Sequence, residues 1–158
     1  MPTELEDLKV LQQAELIADG IWAEVSRWDI FARDVVGKQL ACAADSIGAN
    51  IAEAYGRYHY GDKVLFLYYA RGRLYETKFW LNRARIRNLM AGQKIMKYAE
   101  SLSLIAAQIN AFAKSLKAQK GSGRSIKEPL PNYAVEAGNL LEIFTSDEIQ
   151  ELSTVSNL

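Results

Sequence analysis

Four stretches of this chain carry apolar residues at alternating spacings of three and four, and that pattern constrains the fold more than any other feature. The first stretch runs Leu11, Ala14, Ala18, Ile21, Val25, Trp28, and the second Val36, Leu40, Ala43, Ile47, Asn50 or Ile51, Ala54. The third runs Leu67, Ala70, Leu74, Thr77, Leu81, Ala84, Asn88, and the fourth Ile95, Tyr98, Leu102, Ile105, Ile109, Phe112, Leu116. Such spacing keeps side chains on one face of an α-helix, and each segment needs a helical neighbour to cover that face. The breaks between them are short, at 29–32, 56–61 and around Gly92, which suits turns between adjacent antiparallel helices. No period-two run suggests a sheet. The expected fold is all-α, an antiparallel up-down-up-down four-helix bundle over residues 1–119.

After Gln119 the character changes. Lys120-Gly121-Ser122-Gly123-Arg124-Ser125 reads as a flexible linker, and Pro129 and Pro131 stop any continuous helix, so residues 120–158 form a linker and tail. Within the tail, Thr145-Ser146-Asp147-Glu148 has the capping-box pattern and is followed by Ile149 and Leu152, predicting a short helix near 146–153. The second segment is crowded with small residues (Ala41, Ala43, Ala44, Ser46, Gly48, Ala49, Ala52). Close approach of a neighbouring backbone is expected at Gly48, a tolerated surface glycine being the alternative, and Cys42 is expected to be a small buried hydrophobe.

Composition narrows the function classes. At 158 residues, with one cysteine and one histidine, the chain has room for one ordinary domain and for neither a disulfide scaffold nor a His/Cys-rich metal site. The acidic start, with Glu4, Glu6 and Asp7, is unlike a signal peptide, and no long apolar run is present, so a cytoplasmic protein without a membrane partner is expected. Nineteen bases balance nineteen acids, yet they are segregated. Residues 1–29 hold seven acids and two bases, residues 58–98 nine bases and two acids, and the last thirty residues five acids and no base. Charge segregation of this kind bears on partners.

Seven of the nine bases in residues 58–98 fall in the third segment, together with a second apolar seam: Val64, Tyr68, Tyr75, Phe79 and Ile86. At about 100° per residue this seam lies some 80° or more round the helix from the first. It serves either a wide core within one chain or an oligomer interface, which is typically aromatic-rich; a homo-oligomer is the expectation. Lys63, Arg71, Lys78 and Arg85 lie in or beside the gap between the seams, whereas Arg73, Arg83 and Arg87 share the opposite face with Tyr69, Trp80 and Glu76. Guanidinium groups pair with phosphate and aromatic rings stack on unpaired bases, so Arg57, Lys63, Arg71, Arg73, Arg83, Arg85 and Arg87 are the candidate nucleic-acid contacts. A solvated face, or pairing with the acidic first helix of another subunit, is the competing reading.

Asn50, Glu53 and Arg57 are spaced three and four apart and form a candidate polar network at the end of the second segment, either structural or a ligand contact. Nothing else suggests chemistry. Dinucleotide, P-loop and nucleophile-elbow motifs are absent, and a lone His59 cannot supply a di-iron bundle site. The expectation is a protein that is not an enzyme and takes no cofactor.

The run Ser46-Ile47-Gly48-Ala49-Asn50-Ile51-Ala52-Glu53-Ala54-Tyr55-Gly56-Arg57 closely resembles the Ser-Ile-x-x-Asn-Ile-Ala-Glu-Gly-x-Gly-Arg signature of the 23S rRNA intervening-sequence protein family. Phe66-Leu67, then Ala70-Arg71-Gly72-Arg73-Leu74-Tyr75-Glu76, is similar to the family's Phe-Leu and Ala-x-Gly-Ser-Leu-x-Glu patterns, and the likeness covers roughly residues 5 to 118. Ala54 stands where the signature has its first glycine, and Arg73 where the pattern has serine. The resemblance implies a bacterial four-helix bundle assembled as a ring-like homopentamer. It also implies kinship with pentameric accessory proteins of reverse transcriptases in diversity-generating retroelements, where a basic surface engages nucleic acid and the enzyme.

Overall fold

The computed structural model describes residues 4–122 and 144–154, all of whose regular elements are helical. A 3-10 turn at Leu5–Asp7 leads into α1 (Lys9–Val25); a short α2 (Ile30–Ala32) passes through a π-helical turn (Arg33–Gly37) into α3 (Lys38–Gly56). Then follow α4 (Tyr60–Ile86), α5 (Gly92–Ser122) and α6 (Ser146–Thr154). The third predicted segment is thus α4. Among the described residues no helix is long and apolar enough to cross a membrane.

The four seams are the core. Leu11, Ala14, Ile21 and Val25 of α1 are buried with Leu40, Ile47, Ile51 and Ala54 of α3, Leu67, Leu74 and Leu81 of α4, and Ile95, Leu102, Ile105 and Ile109 of α5. Each fully buried Leu or Ile contributes about 1.5–3 kcal/mol of transfer free energy. α1 packs on α3 and α5, α3 on α4, and α4 on α5. Two buried hydroxyls are satisfied locally: that of Thr77 donates to the Arg73 carbonyl (2.8 Å) and that of Ser103 to the Ala99 carbonyl (2.9 Å).

Helix ends follow from local chemistry. Asp29 caps α2, its carboxylate accepting from the Ala32 N–H at 3.1 Å. α4 ends in a Schellman motif: Asn88 adopts φ 56°, its N–H donates to the Arg85 carbonyl (3.0 Å), and the Leu89 N–H donates to the Ala84 carbonyl (2.8 Å). Asn88 is therefore a cap rather than a core position. The predicted break at 29–32 is not a simple turn, because helix resumes at Ile30 and the π-helical turn feeds directly into α3.

Three further expectations change. Cys42 is exposed, since it faces away from the seam that buries Ala43 and Ala44. A Cβ at Gly48 would lie 3.5 Å from Leu11 Cδ1 and 3.8 Å from Ala14 Cβ, ordinary contact, so no close backbone approach depends on that glycine. α5 continues through the expected linker start to Ser122. The remainder of the expected linker, residues 123–143, lies outside the described residues, while α6 forms where the capping box predicts it. The Thr145 N–H donates to Glu148 Oε2 (2.8 Å) and the Glu148 N–H to Thr145 Oγ1 (3.2 Å).

Candidate interaction face on the fourth helix

α4 buries one stripe (Lys63, Leu67, Ala70, Leu74, Thr77, Leu81, Ala84) and leaves the second seam uncovered. Tyr68, Tyr75, Phe79 and Ile86 are 42, 40, 53 and 54% exposed, and only Val64 tucks against the core. A wide core within one chain therefore does not account for these four. Their arginine neighbours stack on them: the Arg71 guanidinium lies 5.7 Å from the Tyr75 ring centroid, and that of Arg83 lies 5.7 Å from Phe79, which meets Trp80 edge-on at 5.0 Å. From α5, Lys117 donates to the Tyr68 hydroxyl (2.5 Å). Gly72 sits beside this stripe, and a Cβ there would meet nothing within 4 Å.

The candidate bases are not equivalent. Lys63 leaves the basic face: it is 7% exposed, and its ammonium donates to the Tyr55 carbonyl (2.8 Å) and the Ala54 carbonyl (3.3 Å) at the end of α3. Helix C-terminal carbonyls lack intrahelical donors and carry partial negative charge, which is what an amine placed at the start of the next helix answers. Burial pushes the Lys63 amine below the usual lysine range. Arg57 pairs with Glu53 (2.5 Å) and lies 4.5 Å from the Phe66 ring centroid. Arg73 pairs with Glu76 (2.6 Å). Arg71, Arg83 and Arg85 are half-buried and Arg87 is exposed. The Nε atoms of Arg83 and Arg85 are buried without a hydrogen-bond partner among the described residues.

The expected Asn50–Glu53–Arg57 network divides. Asn50 donates to the Ser46 carbonyl (2.7 Å), one turn back, while Glu53 and Arg57 pair with each other in solvent. Asn50 instead joins α4 residues around a shallow groove of about 440 Å³, lined by Asn50, Tyr68, Tyr69, Gly72, Arg73 and Glu76. Helical spacing within one segment could not reveal that placement.

On the other side of the molecule a groove of about 300 Å³ runs between α1 and α3, floored by Leu11, Ala14, Ala18 and Ala49 and edged by Glu15, Asp19 and Asp45. Burial, and then the nearby Asp19 charge, raise the Asp45 carboxyl above its ordinary value. A second apolar exposure escaped the periodicity argument. Ile30, Phe31 and Val35 are 70, 77 and 47% exposed around the π-helical turn, and the signal for them was only that two of them fall inside a predicted break. His59 is exposed and meets Tyr58 edge-on at 5.2 Å. No group of three or more metal-ligating side chains occurs among the described residues.

Comparison with curated proteins and with solved structures returns no match. A family model described as 23S rRNA-intervening sequence protein matches residues 6–111, from the turn before α1 to well along α5 and including the whole α4 face, and the chain belongs to that family.

Proposed function

We propose that this chain is a non-enzymatic, self-assembling bacterial cytoplasmic protein whose assembly binds structured RNA or another nucleic acid through the arginines of α4. The observation that carries this reading is the uncovered stripe of Tyr68, Tyr75, Phe79 and Ile86 with arginines stacked along it. Apolar stripes edged by arginine have the composition of subunit interfaces. Gly72 adds support. A mid-helix glycine costs about 1 kcal/mol relative to alanine, and since nothing among the described residues needs the space, a second chain's approach supplies a reason to keep it. The protomer is read as an antiparallel up-down-up-down four-helix bundle. Contacts run from α1 to α3 to α4 to α5 and back to α1, and the connections are only a few residues long. Pairing of the arginine-edged stripe with the acid-edged α1–α3 groove of the next copy would join unlike faces, and such contacts close into a ring, a pentamer in this reading, when the rotation between copies returns to the start.

Arg73, Arg83, Arg85 and Arg87, with the exposed Tyr69 among them, offer guanidinium groups for phosphate and a ring for unpaired bases, with Arg57 and Arg71 at the margins, whereas Trp80 packs partly against the core. Binding of nuclease-treated protein to a labelled structured RNA should weaken steeply across a salt series and show little sequence preference. Changing Arg73, Arg83 and Arg87 together to Glu should abolish it. No binding at low salt contradicts the nucleic-acid half of the proposal. A second reading, a protein-interaction scaffold or reverse-transcriptase accessory subunit with no direct RNA contact, is favoured by the ion pairs that already engage Arg57 and Arg73. Under that reading partner binding survives nuclease.

A further inference from the structure

α6 lies beyond the family-matched span. Phe144, just ahead of α6, is fully buried and packs into the main core. The Lys78 ammonium lies 5.1 Å from the Phe144 ring centroid and pairs with Glu148 at 3.0 Å. α6 packs on α5 next to it. Lys78 stands seven residues from both Arg71 and Arg85, so the three bases share one strip of α4 between the core seam and the exposed stripe. α6 brings Asp147, Glu148 and Glu151 and no base. A buried aromatic anchor, a self-capped start and a carboxylate seated on the middle base of the strip make this a built contact rather than a chance one.

We propose that α6 is an intramolecular competitor for polyanions: docked, its Glu148 carboxylate holds Lys78, the middle base of the Arg71–Lys78–Arg85 strip; released, it opens that strip to phosphate. The proposal rests on the nucleic-acid reading above and assigns the tail the task of restraining it. Charge complementarity selects the occupant, because the acidic C-terminal segment is already seated on the base it neutralises.

The test uses the full-length chain and a labelled structured RNA at one low salt concentration, with wild type, Glu148→Gln, Phe144→Ala and, as a net-charge control, Glu6→Gln on the exposed N-terminal turn. Acylation of Lys78, followed by mass spectrometry, reports docking independently. Glu148→Gln and Phe144→Ala should each raise Lys78 acylation and tighten RNA binding about threefold, the scale of one partly screened ion pair, with Glu6→Gln matching wild type in both. Glu148→Gln leaves the aromatic anchor intact, so the result stands even if Phe144→Ala unfolds. Raised acylation with unchanged RNA affinity overturns the competitor role while sparing the nucleic-acid reading. Unchanged acylation in both variants overturns docking itself. Absence of RNA binding in every protein removes the nucleic-acid reading and this proposal with it.

Discussion

Two glycines illustrate how differently the same residue type can be used. A Cβ at Gly37 would sit 2.5 Å from Val25 Cγ1 and 3.3 Å from the Trp28 ring, so the π-helical turn can lie against the end of α1 only without a side chain. A Cβ at Gly72 meets open space. Gly37→Ala should therefore lose about 1–3 kcal/mol of stability through overpacking, whereas Gly72→Ala should gain up to about 1 kcal/mol in the isolated chain and weaken assembly. Urea unfolding of the two variants, with sizing of the second, checks both signs. Neither role was legible in the sequence, because each depends on what lies across space. The same holds for Lys63, which reads as one more base of a basic helix until the end of α3 is placed beside it.

At the scale of elements, periodicity carried far: all four seams supply core residues, though Asn88 at the end of one is a cap, and the capping box at Thr145 does form a helix. What periodicity could not supply was the π-helical turn, which slips the register between α2 and α3, or the seat of α6 on Lys78. That seat makes the tail sensitive to acid. Burial opposes ionisation of Glu148, but the Thr145 N–H, the Lys78 ammonium and the Thr145 hydroxyl outweigh it and hold the carboxyl below its ordinary value. A carboxyl depressed in the docked state stabilises docking above its ordinary value of about 4.3. That stabilisation is lost as pH falls through the lowered one. The ring resonances of Phe144 should keep their buried chemical shifts from neutrality down through the ordinary glutamate range and move only in stronger acid. Glu148→Gln should show no such step.

For the molecule as a whole, the formal balance of charge conceals an acid-edged groove between α1 and α3, an arginine-edged aromatic stripe on α4, and an acidic tail helix. The sequence revealed the segregation but not how much of it is spent internally, since Glu53, Glu76 and Glu148 each engage one of the bases by ion pair. What remains outward is the stripe, and its burial by a second chain is the central claim. The mass in solution by light scattering at micromolar concentration, for wild type and for Tyr75→Glu with Phe79→Glu, tests it most directly. Both positions are exposed in the single chain, so the double variant should keep its helical circular dichroism. A wild-type mass that is a multiple of one chain, falling to one chain in the variant, is the predicted result; a single-chain wild type, or an assembly indifferent to the substitutions, contradicts it.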